Sequence, residues 1–157
     1  MLREILSPDS CAKCRLCCGF DREDMWENPV ISAGIAENVR KKCPKGKLNK
    51  FGKQSFAFEL DFDGKDIAYC PALSERGCTL GEDKPFDCKI WPYRVMDKEG
   101  KLVLTLSPVC KTLSAESREK TAAFAEKLAP IAFAEAEKNP DIIKKYIEGY
   151  PILAEKS

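Results

Sequence analysis

Hydrophobic and polar positions alternate most regularly across 55–62, where Phe56, Phe58, Leu60 and Phe62 fall on one side of an extended chain. Asp63-Gly64 follows, a two-residue pair suited to a hairpin turn, so 65–69 reads as the return strand ending at Cys70. A second hairpin is expected from Tyr93-Arg94-Val95-Met96 through Asp97-Lys98-Glu99-Gly100 to 101–106. There Leu102, Leu104 and Leu106 share a side. Residues 21–40 read as mostly helical with a break at Asn28-Pro29, carrying Met25, Trp26, Val30, Ile31 and Ile35 on an irregular apolar face.

Beyond 110 the period changes to that of a helix. Ser114 is the expected N-cap, with Glu116 and Glu119 in the first turns, where the helix dipole favours acids. Phe124, Leu128, Ile131 and Ala132 recur at helical spacing, and Pro130 is expected to kink or split the element. Asn139-Pro140 marks a break. A short final helix over 141–148 is expected, stopped by Gly149 and Pro151. The reading is an α+β chain, a single domain over 1–157. It has a cysteine-rich head with two β-hairpins over 11–110 and a helical tail over 111–157.

Composition narrows the class. A hydrophobic fraction of 44% belongs to a folded globule, and 157 residues suffice for a core without cross-links. With 26 basic and 25 acidic residues, no global field points to nucleic acid or membrane. The one basic run is 40–53, holding Arg40, Lys41, Lys42, Lys45, Lys47, Lys50 and Lys53 without an acid. Pro44, Gly46 and Gly52 make it a loop, and with few aromatics to stack bases it reads first as a solvated one. Nucleic-acid or phosphate binding there is the less favoured alternative. No signal peptide or membrane-spanning run is read, so the expected location is the cytoplasm.

Chemistry resides in the cysteines. There are nine, against no histidine, and four of them crowd into Cys11, Cys14, Cys17 and Cys18. In a reducing compartment such crowding points to metal ligation before disulfides, and an odd total leaves one thiol outside any full pairing. Two-residue gaps let neighbouring sulfurs converge on one ion or cluster. Cys17 and Cys18 are adjacent, and consecutive side chains diverge, so the pair suits two centres or two edges of one polynuclear cluster. The downstream thiols stand on stiff backbone: Cys70-Pro71 at a strand end, Gly77-Cys78 on a turn, Cys88 between Pro85 and Pro92, and Cys110 after the second hairpin. Cys43 is the outsider, read first as a free thiol in the basic segment, with Cys43-Pro44 otherwise an echo of the Cys-Pro that closes ferredoxin runs.

This pattern resembles the CxxCxxCC family of zinc- or iron-chelating proteins. The match covers 11–18, Cys70-Pro71, Gly77-Cys78, the Pro-x-x-Cys-x-x-x-Pro of 85–92, and Cys110, about two thirds of the chain. Where the family often carries Arg before the first proline and after the cysteine of that last motif, this chain has Lys84 and Lys89. Flagellin lysine N-methylases share the cysteine block and carry an iron–sulfur cluster in a longer chain. The resemblance thus implies eight ligands, Cys11, Cys14, Cys17, Cys18, Cys70, Cys78, Cys88 and Cys110, holding an iron–sulfur cluster first or Zn2+ second.

A structural or electron-carrying metal protein is the leading expectation, with a protein partner left open. The alternative is an iron–sulfur-dependent enzyme, or a partner in protein methyl transfer. Absent histidine disfavours catalytic zinc and leaves acid–base catalysis to a carboxylate pair, of which none stands out.

Overall fold

The computed structural model describes residues 18–22, 27–108 and 116–157, and they form an α+β protein. The chain divides into two compact units, one over Ser7–Lys89 and one from Ile90–Ser157.

Among the described residues of the first unit the elements are β1 (Gly19–Asp21), β2 (Ile31–Ser32) and helix α1 (Ala33–Lys42), followed by β3 (Leu48–Phe51) and β4 (Ser55–Phe58). Of the helix expected over 21–40, residues 23–26 lie outside the described residues, 33–40 are helical, and Asp21 and Ile31–Ser32 are strand, so among the described residues the helix starts only at Ala33. Pro29 disfavours helical geometry in the residue before it, and the branched pair Val30-Ile31 is buried at 2% and 0% exposure as extended chain. Helix α1 buries Ala36 and Val39, one turn apart. Its last turn carries Arg40, Lys41 and Lys42, where cations complement the helix dipole. Of the basic run, 43–47 and 52–53 are loop or turn, because 40–42 end helix α1 and Leu48–Phe51 goes into strand β3.

The first hairpin forms with a different partner from the one expected. Asp63-Gly64 does turn, with φ of 45° and 71°, and Lys65 N donates to Phe62 O at 2.7 Å. Yet β4 lies in the middle of the sheet order β2-β4-β3, antiparallel to both neighbours. Both its edges are thus occupied, and the strand after the turn, β5 (Ile67–Tyr69), pairs with β1 instead. A further small hairpin, β6 (Leu73–Ser74) with β7 (Gly77–Cys78), precedes a 3-10 turn at Gly81–Asp83 and the short helix α2 (Phe86–Ile90). The core of the unit is Ile31, Ala36, Val39, Cys43, Phe58, Ala72 and Leu80.

In the second unit β8 (Tyr93–Lys98) and β9 (Lys101–Leu106) make the second hairpin as expected. Glu99 and Gly100 turn it, both at positive φ, and Gly100 N donates to the Asp97 carboxylate at 2.7 Å. Helix α3 (Arg118–Lys138) lies on this hairpin. Tyr93 donates its hydroxyl to Thr121 O at 3.0 Å, and its ring lies 5.5 Å from that of Phe124.

The helix starts at an N-cap of Ser117, which accepts from Lys120 N, whereas the expected cap, Ser114, lies outside the described residues. It runs through Pro130 as one element. Pro130 is exposed, while Leu128, Ala129, Ala132 and Phe133 are buried on either side and offset the lost backbone bond. Ile131, expected on the apolar face, is exposed, because the buried stripe runs through Thr121, Phe124, Leu128, Ala132 and Ala136.

The expected final helix over 141–148 is absent. A 3-10 turn at Pro140–Ile142 leads into β10 (Lys144–Lys145), parallel to β8, and β11 (Ile152–Glu155), antiparallel to β9. The sheet order is β10-β8-β9-β11. Eight residues make a marginal helix, and the two open hairpin edges supply ladder bonds to the same segment. Among the described residues, no helix is long and apolar enough to cross a membrane.

Candidate metal centre

Four of the eight predicted ligands, Cys18, Cys70, Cys78 and Cys88, are among the described residues and all four are half-buried. Cys11, Cys14, Cys17 and Cys110 lie outside them. The five described cysteines, Cys43 included, are thiols and not half-cystines.

The strand pair β1–β5 brings two of them side by side. Its register sets Gly19 opposite Tyr69, and one step further Cys70 N donates to Cys18 O at 2.8 Å. Phe20 and Ala68 point inward at 3% and 2% exposure, whereas Ile67 and Tyr69 face outward. The outer face is tight at Gly19, where an added Cβ would come within 3.1 Å of the Tyr69 ring. The exposed Tyr69 ring rests on the bare backbone of the residue beside Cys18.

The Cys-Pro turn carries the chain directly to the third thiol. Leu73 N donates to Cys70 O at 3.0 Å, closing a turn over Pro71 and Ala72, and Leu73 then pairs across the ladder with Cys78. Ser74 fixes the hairpin end, donating to Gly77 O at 2.7 Å while accepting from Arg76 N at 3.2 Å. Gly77 takes a φ of 102°, a conformation that side-chain-bearing residues rarely adopt. Cys70 and Cys78 both pack against the apolar core of the unit, which gives their sulfurs a dry floor.

Cys88 stands on helix α2, with Cys88 N donating to Pro85 O at 3.0 Å. The preceding residue, Asp87, is 3% exposed, and its carboxylate accepts from Val30 N at 3.0 Å. This buried acid escaped the sequence reading. Its only signal there was a carboxylate set between Phe86 and Cys88 in a proline-bracketed stretch whose one other charge is Lys89.

Cys43 lies apart in character, 3% exposed in the apolar core at the end of α1. The backbone at Gly46 passes so close that a Cβ would sit 3.1 Å from the Cys43 sulfur and 2.6 Å from the Phe58 ring. Among the described residues, no group of three or more Cys, Asp or Glu side chains is close enough to hold an ion.

The charges of the basic run are partly met by acids. Lys47 lies 3.1 Å from Glu59, Arg40 lies 3.7 Å from Glu37 and sits over the Phe56 ring, and Lys42 lies 2.7 Å from Asp83. Hydrogen bonds from the Lys42 ammonium and then from the Asn38 amide hold the Asp83 carboxyl below the ordinary carboxylate range. No family model, curated protein or solved structure matches this chain.

Proposed function

We propose that this chain is a metal-binding protein of the CxxCxxCC kind, holding an iron–sulfur cluster, or else zinc, through cysteine thiolates, with a structural or electron-carrying role in the cytoplasm. The observation that carries the reading is the backbone bond from Cys70 to Cys18. It joins the residue that ends the N-terminal cysteine run to the Cys-Pro residue through the backbone, although they are 52 positions apart by their numbering. The turn after Cys70 then leads in one step to the strand opposite Cys78. Three cysteines from two stretches of sequence are thus carried on two small strand pairs joined by one turn.

The donor chemistry fits such a group. Thiolates bind zinc and iron–sulfur clusters, and the absence of histidine removes the imidazole ligands usual at catalytic zinc. A cluster, when bound, supplies one-electron chemistry. The protein's own part would be to hold the cysteine-bearing strands together and keep the apolar floor dry, and the dryness of its surroundings tunes a cluster. A reducing cytoplasm keeps the unliganded thiols from oxidising.

Anaerobic purification with an absorption spectrum and elemental analysis tests the reading. Brown protein with iron and acid-labile sulfide is the expected result, and colourless protein with stoichiometric zinc selects the second metal. A preparation that contains neither, with its thiols fully reactive, would overturn the proposal.

A further inference from the structure

We infer that Asp87 is a positioning residue for Cys88, an inference that rests on the thiolate reading above. Helix α2 has five residues, too few to hold a fixed direction by its own hydrogen bonds, so tertiary tethers must set it. Asp87 is such a tether. A carboxylate at 3% exposure is costly unless hydrogen-bonded, and this one accepts from Val30 N at 3.0 Å across 57 positions of sequence.

The other end of that bond explains its use. Val30 is 2% exposed and directly precedes Ile31, which is fully buried in the apolar cluster against which Cys70 and Cys78 pack. The strap Asn28-Pro29-Val30 is pinned a second time, because Asn28 Nδ2 donates to Phe58 O at 2.8 Å, and Phe58 belongs to the same cluster. Asp87 therefore ties the helix bearing Cys88 to the sheet under two other proposed ligands. The bond sets where the fourth sulfur points relative to that sheet.

The test uses the full-length chain, reduced and metal-free, titrated with Co2+ and followed by thiolate-to-cobalt absorption, with far-ultraviolet circular dichroism as a check of folding. Asp87→Ala is expected to weaken Co2+ binding about 10- to 100-fold, the usual range for losing a group that orients a ligand. Asp87→Asn keeps an acceptor oxygen in place and is expected to recover most of that loss. In a Cys88→Ser background Asp87→Ala should change nothing further, because the sulfur it positions is gone. If Asp87→Ala does not fold, Asp87→Ser replaces it in the same series.

A folded variant with wild-type affinity overturns the inference, as does an equal loss with and without Cys88. A wild-type chain that gives neither thiolate-to-cobalt absorption nor iron with acid-labile sulfide on anaerobic purification removes the metal reading itself, and this inference with it. Normal wild-type binding with Asp87→Ala unmoved removes only the role of Asp87.

Discussion

The two units are built on different scales. In the second, a four-stranded sheet with six-residue central strands is covered by a 21-residue helix whose buried stripe is continuous from Thr121 to Ala136. In the first, the described sheets have two or three strands, and none of those strands exceeds four residues. A two-stranded ribbon alone is marginal in water. The second unit has the ordinary means of a globular fold. The first has short ladders, a small apolar cluster and its cysteines, so cross-linking of those sulfurs by metal is where its remaining stability is expected to come from.

Metal removal is the sharpest way to break that contrast. Thiolate zinc sites contribute about 10–16 kcal/mol in small peptides, comparable with the roughly 5–15 kcal/mol that stabilises a whole domain. Stripping the metal from the intact protein with chelator under reducing conditions should unfold Ser7–Lys89 while leaving the β8–β9 sheet. Hydrogen exchange read by mass spectrometry checks it. Amides of β1, β5, β6 and β7 should lose protection, and those of β8, β9 and α3 should keep it. Uniform loss across both units would erase the distinction, and no loss would show that the first unit stands without metal.

The converse perturbation acts on the second unit alone. Leu128 is 1% exposed, and Leu128→Ala should cost about 2–5 kcal/mol through lost burial and the cavity left behind. Metal content should not change. A denaturant melt together with elemental analysis separates the two readouts. Loss of metal in a folded Leu128→Ala protein would mean that the units are not separable in this way.

Gly46→Ala probes the small core of the first unit. The new Cβ would lie 2.6 Å from the Phe58 ring and 3.1 Å from the Cys43 sulfur, so buried groups must move, at about 1–3 kcal/mol. Cys43→Ala in the same chain opens space on one side and should return part of the loss. Thermal melts of the single and double variants check the coupling. Purely additive costs would mean that Cys43 does not crowd this position.

What the sequence made legible follows the range of the forces involved. The β8–β9 hairpin was readable because Glu99-Gly100 and the leucine alternation are local, and both act on neighbouring strands. The alternation of 55–62 was equally clear, but it does not say which strand pairs with β4. Gly52, at a φ of 63°, turns β3 back onto it, and β1 claims the strand expected to return. The final helix failed for the same reason, since the open edges of β8 and β9 are tertiary facts. Of the candidate site, the residue types were legible. The link between Cys18 and Cys70 was not, because a backbone bond between distant segments leaves no periodic mark. Asp87 was missed because its apolar neighbours are a weak local signal and the partner that makes its burial tolerable, Val30 N, lies 57 positions away.

The smallest expected effect lies at the surface of the first unit, where Lys42 joins the end of α1 to the 3-10 turn at Gly81–Asp83. Its ammonium lies 2.7 Å from Asp83 and 3.1 Å from Leu80 O. Because the folded-state carboxyl of Asp83 titrates below its unfolded value, ionised Asp83 favours the fold. That contribution is fully present above the unfolded value, about pH 3.9, and is lost as pH falls through the lower, folded one. Asp83→Asn should therefore lower the melting temperature slightly at neutral pH. The difference from wild type should shrink toward the acid end, and added salt should shrink it at neutral pH, because exposed ion pairs are weak and screened. Melts at neutral and acid pH, each with and without salt, check the sign. A gap that widens on acidification would mean that Asp83 is held by something other than Lys42 and Asn38.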